Sequence, residues 1–277
     1  MLFRSVCTLS EPETPTRRHT ADGFENWRFP EHDFAVSFFW TPFQVRWRLT
    51  HGPPAAVGPD RQGEVFAGPT DLHLDEPDER WMSAAKEHDY VVVSASHWFA
   101  RPAVYYRGGR AVGCHGCADE AHANNVTALP PAYAQRAAFR TVLRELAAGL
   151  EGFKGTAILR TVAPTHYSHG GWFDGGECPS TRPLDRNQTA EMVEQEAQFY
   201  GAQVEEFRTA EAEARVNGVR LRLLDVTGIM LRRPDGHPDR YGHGAGEHGG
   251  FEVDCLHWCL PGPIDLWNQL LLQIVAS

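Results

Sequence analysis

Strand-like and helix-like segments alternate through the middle and end of this 277-residue chain, and that alternation restricts its architecture most. Tyr90-Val91-Val92-Val93-Ser94 is β-branched and bounded by turn residues, which predicts a strand. A helix is expected over about Pro131 to Leu150: Pro131 suits the first turn, and Ala134, Ala138, Val142 and Leu146 form an apolar stripe. Thr156 to Val162 predicts the next strand, and Thr189 to Val216 a long acidic helix. Val219 to Val226 predicts another strand whose path Ile229 to Arg232 continues, before a closing helix over Pro263 to Val275. Strands alternating with helices predict an α/β fold with a parallel sheet covered on both faces. Upstream, residues 1–33 read as polar and turn-rich, Phe34 to Trp40 as a buried strand, and Phe43 to Leu49 as an alternating one. His51 to Pro69 reads as a surface loop, and Leu72, Leu74 and Trp81 precede the Tyr90 strand. No internal repeat or linker is visible, so the expectation is one domain over residues 1–277.

The chemistry concentrates near the C-terminus, in Asp254-Cys255-Leu256-His257-Trp258-Cys259-Leu260-Pro261-Gly262-Pro263. A carboxylate three residues before a histidine suits the orienting and general-base members of an acyl-transfer triad. The same short spacing also serves a purely structural hydrogen bond. Cys255, His257 and Cys259 alternate, and Cys114-His115-Gly116-Cys117 is a C-x-x-C, so zinc is a rival reading. It lacks the paired ligand clusters of a structural zinc site, and disulfides are preferred; no metal is expected. Six cysteines allow fifteen pairings, among which the sequence does not choose. Ser96-His97-Trp98 follows a strand's C-terminal end, where open α/β sheets place ligands, or is simply a packed turn.

A net charge of -10 argues against a nucleic-acid surface. No run is long enough for a transmembrane helix, and the first residues lack a signal-peptide pattern. Asn125-Val126-Thr127 and Asn187-Gln188-Thr189 are N-glycosylation acceptor tripeptides, which suit a secretory route. No phosphate-binding glycine loop, Gly-x-Ser-x-Gly elbow, His-Glu-x-x-His helix or Gly-Asp-Ser tripeptide is present.

Taken together, several segments resemble the plant trichome-birefringence-like family of polysaccharide O-acetyltransferases, over its C-terminal two-thirds. They include Phe39-Trp40-Thr41-Pro42-Phe43, Asp71-Leu72-His73-Leu74-Asp75, Ser94-Ala95-Ser96-His97-Trp98-Phe99 and Gly175-Gly176-Glu177-Cys178. Arg160-Thr161-Val162-Ala163-Pro164-Thr165-His166, Arg233-Pro234-Asp235-Gly236-His237-Pro238 and the Asp254-to-Asn268 block carry it further. The resemblance implies an SGNH-hydrolase-like α/β/α sandwich with a mostly parallel sheet and a Ser-His-Asp triad. Asp254 and His257 carry the acid and base roles, and Ser96 and His97 are candidates for the oxyanion neighbourhood. Ser96 stands where the family has glycine, which strains a positive φ if one is needed. The resemblance also implies a Cys178–Cys255 disulfide, with Cys114 and Cys117 staying local. The family's nucleophile lies in a Gly-Asp-Ser stretch upstream of a segment like Ser5-Val6-Cys7. The chain is therefore expected to be incomplete at its N-terminus, without that serine and without the family's membrane anchor. The implied activity is acetyl transfer to a plant cell-wall hemicellulose, xyloglucan or else xylan, in the Golgi lumen. The donor, acetyl-CoA or an acetylated carrier, is a co-substrate, and no cofactor is expected to be bound. An inactive shortened paralogue acting as a glycan-binding or interaction protein is the alternative.

Overall fold

A computed structural model describes residues 16–19, 24–49, 69–116, 126–150, 153–171, 175–188, 191–241 and 253–277. Among them the strands are β1 (Thr16–His19), β2 (Phe24–Phe29), β3 (Phe34–Phe39), β4 (Val45–Leu49), β5 (Thr70–Pro77), β6 (Tyr90–Val93), β7 (Ala103–Arg107), β8 (Arg110–His115), β9 (Thr156–Arg160) and β10 (Arg220–Leu224). The helices are α1 (Glu79–Ala85), α2 (Pro131–Ala147), α3 (Glu194–Val216), α4 (Thr227–Met230) and α5 (Ile264–Val275). The chain divides into two compact units, one within residues 14–160 and 198–223, the other containing residues 161–197 and 224–277.

The first unit holds the hydrophobic core. Val91 to Val93 of β6 lie parallel to Ala157 to Leu159 of β9, which is fully buried, and β10 borders β9 on its other side. The apolar stripe of α2 is completely covered, with Ala134, Ala138, Val142 and Leu146 all at 0–1% exposure, as its spacing demands. Arg136 and Arg140 on its other face reach Glu205 and Glu206 of α3 at 2.5 and 2.7 Å. A second sheet, β4-β5-β7-β8, joins β5 parallel to β7 and is antiparallel at both edges. β1, β2 and β3 form an antiparallel meander.

The α/β class is as expected, with helices interleaved among the strands. β5–β7 and β6–β9 pair in parallel, and among the described residues the strands are divided among three sheets rather than gathered in one. The stretch read as a buried strand, β3, is largely exposed: Phe34 is 47% and Phe38 36% accessible, and among the described residues β3 pairs with β2 alone. β5 was hidden in the sequence by Asp71 and His73, which are buried among Leu72 and Leu74. Arg48 neutralises Asp71 at 2.8 Å, and Arg46 donates to His73 Nδ1 at 2.7 Å.

In the second unit, Thr161 ends the run of strand-like residues. Its hydroxyl accepts from Val226 N–H at 3.0 Å, while the Thr227 hydroxyl donates to the Val162 carbonyl at 2.6 Å. The chain turns into α4 there, so Ile229 and Met230 are helical rather than extended. Leu231 and Arg232 follow in a turn. α5 begins beside Pro263 as predicted. No helix among the described residues is long and apolar enough to cross a membrane.

Candidate active site

A single short loop builds the Asp254–His257 pair. Asp254 is tied to Asp239 by two backbone hydrogen bonds of 2.9 and 3.0 Å. Its Oδ1 accepts the N–H groups of Leu256 (3.1 Å) and His257 (2.9 Å), an Asx-type turn. The turn brings the imidazole round so that His257 Nδ1 donates to Asp254 Oδ2 at 2.8 Å. The three-residue spacing is what allows one carboxylate to hold both the backbone and the ring. Asp254 is buried, which alone would raise its pKa. Hydrogen bonds from the His257 ring and from the two backbone amides, with the His257 charge, outweigh burial and hold it below the usual carboxylate range. The His257 side chain is 49% exposed. With Nδ1–H committed to the carboxylate, the neutral ring carries its lone pair on Nε2. That is the tautomer a general base requires.

Other residues of this unit brace the loop. Cys178 and Cys255 form a disulfide, Cα–Cα 5.7 Å, next to Asp254. The backbone N–H of Cys259 donates to the Gly236 carbonyl at 2.8 Å. His237, 7% exposed, contacts the His257 carbonyl through Nδ1 at 2.7 Å, and its Nε2 lies 2.7 Å from His166 Nδ1. His166 Nε2 reaches the Leu231 carbonyl at 3.1 Å. Trp258 packs against both rings, tilted on His237 with centroids 4.1 Å apart and edge-type with His166 at 5.6 Å. Cys259 is a free thiol, pushed up mainly by burial and further by the Asp254 and Asp235 charges. Glu196, 2% exposed, accepts the Thr165 N–H at 2.9 Å, and burial lifts its carboxyl to about 7. Nothing about His166, His237 or Glu196 as single residues signals these positions; only their contacts across the chain do.

Ser96 and His97 belong to the other unit, at the C-terminal end of β6. Ser96 has φ -156° and ψ -85°, outside the left-handed region, so serine at this position carries no positive-φ strain. The turn is fixed from behind: Gln135 and Gln203, both fully buried, donate to the Ala95 carbonyl at 3.4 and 3.0 Å. Arg160 is partly buried, donates to the Ser94 hydroxyl, and desolvation lowers its guanidinium to about 10. A cleft of about 540 Å³ in this unit is lined by Arg46, Trp47, Asp75, Glu76, Asp78 and Arg80, with no residue of the Asp254–His257 pair.

Asn187 is exposed on a turn, whereas Asn125, Cys117 and Cys7 lie outside the described residues. Cys114 is disulfide-bonded, and Cys255 is engaged with Cys178. Neither is a thiolate, which removes the zinc set of Cys114, Cys117, Cys255 and Cys259. Among the described residues, Cys178, Asp239 and Cys255 are the grouping of metal-type side chains, and the disulfide disqualifies it likewise.

A family model described as "GDSL/SGNH-like Acyl-Esterase family found in Pmr5 and Cas1p" matches residues 4–274. The chain belongs to this PC-esterase family. Protein trichome birefringence-like 19 of Arabidopsis thaliana is 39% identical over 272 residues, covering 98% of this chain and 60% of that protein. Xyloglucan O-acetyltransferase 4 of Populus trichocarpa is 38% identical over 273 residues, with 98% and 60% covered. Xyloglucan O-acetyltransferase 1 of Arabidopsis thaliana is 35% identical over 274 residues, with 98% and 59% covered. The chain thus spans about 60% of the length of these PC-esterase relatives.

Proposed function

We propose that this protein is a plant polysaccharide O-acetyltransferase whose general base is His257, oriented by Asp254. The observation that carries the reading is the 2.8 Å contact of His257 Nδ1 with a carboxylate that two backbone amides already hold. In the proposed reaction an acetyl group is carried on a serine. A sugar hydroxyl attacks the acetyl carbonyl carbon as His257 Nε2 takes its proton. The tetrahedral intermediate collapses, and the serine oxygen leaves with the proton returned by the imidazolium. Asp254 stabilises that imidazolium and remains ionised.

The relatives named xyloglucan O-acetyltransferase support a hemicellulose acceptor, xyloglucan before xylan. Acetyl-CoA or an acetylated carrier serves as donor. Ser96 and His97, at a strand's C-terminal end, are proposed to line the acetyl site. The Cys178–Cys255 disulfide suits an oxidising compartment such as the Golgi lumen, where Asn187 is accessible for glycosylation. The second reading is a glycan-binding or interaction protein without transferase activity.

The test is acetyl transfer to xyloglucan oligosaccharides by the purified protein, natural and with His257→Ala or Asp254→Asn. Each variant should lose at least about a hundredfold in rate while keeping its fold. Undiminished transfer by either folded variant refutes the assignment. Oligosaccharide binding without transfer by the natural protein supports the second reading.

A further inference from the structure

His166 and His237 form a chain of three contacts with a fixed proton demand. Leu231 O, His166 Nε2, His166 Nδ1, His237 Nε2, His237 Nδ1 and His257 O follow one another, with gaps of 3.1, 2.7 and 2.7 Å. Both ends are carbonyl oxygens, which only accept. Each end therefore needs a ring N–H, and the nitrogen–nitrogen contact needs a third proton between the rings. Two neutral imidazoles carry only two protons. A neutral pair must leave one contact without its hydrogen, with a polar group buried and unpaired.

We propose that His166 and His237 share a third proton, and that His237 is a positioning residue that uses it to hold the backbone of His257. The inference rests on the reading of His257 as the base. The surroundings divide. Burial of both rings opposes the charge and lowers both, His237 to about 4, and the His257 ring adds repulsion. The Asp235 and Asp254 carboxylates favour it, although Arg233 offsets Asp235 through a 2.9 Å ion pair. Glu196 lies one residue away on Thr165, and the Trp258 ring offers its face to a cation at 4.1 Å from His237. The geometry decides for the charged pair, because only it satisfies both carbonyls and the ring–ring contact at once. The third proton then links the His257 carbonyl to a carbonyl on the turn after α4, and so fixes the loop that aims the base.

The test reads ring protons directly, by nitrogen-15 correlation spectra of the histidine side chains at pH 6. The natural protein should show three ring N–H protons on His166 and His237 together. Two, with both rings neutral, overturn the proposal, and this measurement needs no variant. His237→Asn keeps a donor at the Nδ1 position, toward His257, and His237→Gln keeps one at the Nε2 position, toward His166. The His237→Gln variant should exchange the His257 Nδ1 proton with water about tenfold faster than the natural protein, and the His237→Asn variant should stay near natural. Equal exchange in the two variants overturns the positioning role. Because these readouts are not catalytic, they stand apart from the activity of His257→Ala, whose failure would remove the base assignment instead.

Discussion

Replacing Glu196 by glutamine separates the cost of a buried carboxylate from the value of its hydrogen bond. The side chain is 2% exposed, and its Oε1 accepts the Thr165 N–H, a bond the amide oxygen of glutamine can keep. Burial raises the carboxyl from its ordinary 4.5 to about 7, against the opposing pull of the Thr165 hydrogen bonds. Between those values the folded protein holds a proton that the unfolded chain has released. Stability therefore falls as pH rises through that window, and the whole contribution is lost above it. At about 1.4 kcal/mol for each tenfold change in proton affinity, the loss by pH 8 is up to about 3 kcal/mol. Urea denaturation followed by tryptophan fluorescence, on the natural protein and the Glu196→Gln variant at pH 5 and pH 8, measures it. The two should be nearly equal in stability at pH 5, with the variant ahead by about 2–3 kcal/mol at pH 8. Comparing the two proteins removes the contribution of His166 and His237. A gap that does not change with pH, or a variant weaker at pH 8, refutes the account of Glu196 as a desolvated carboxylate.

Two further outcomes follow from packing and covalent constraint. The Cys178–Cys255 bond closes a loop with a sequence separation of 77, so replacing both by Ala should cost about 2–4 kcal/mol. Reductant should then weaken the natural protein in denaturant melts and leave the Cys178 and Cys255 double variant unmoved by that bond. Gly236 leaves no room for a methyl group: an added Cβ would sit 2.3 Å from Pro263 Cγ and 3.0 Å from the Trp258 ring. Gly236→Ala should cost about 1–3 kcal/mol in thermal or urea melts, and an unchanged midpoint would show that the loop yields freely.

What the sequence made legible follows the range of the interactions. The α2 stripe, the valines of β6 and the start of α5 are set by neighbours within a few residues, and the structure places them where periodicity does. β5 and β7 were missed because their identity is settled at long range. Asp71 and His73 look like surface residues until Arg48 and Arg46 arrive from β4. β3 erred in the other direction: its aromatic run reads as core, yet among the described residues it pairs with β2 alone, and Phe34 and Phe38 lie in the open. Asp254 and His257 were visible by spacing, since an Asx turn needs nothing beyond its own residues. The glycine-to-serine exchange at Ser96 was open to doubt in sequence because φ is not written there.

The same distinction governs the candidate site. An Asx turn in a free peptide would bring Asp254 and His257 together only transiently, because each bond competes with water. What the fold adds is external to the motif. Asp239 pins the carboxylate's backbone, Cys178 anchors the next residue covalently, and His237 grips the His257 carbonyl. Burial of Asp254 strengthens its hold on the ring while the ring itself stays half exposed. Carboxylate and imidazole thus have opposite solvent environments across a single hydrogen bond. That division suits a base that must meet substrate with one nitrogen and keep a fixed tautomer with the other. It depends on residues far from Asp254 and His257 in sequence, so the motif names the participants while the tertiary contacts set their chemistry.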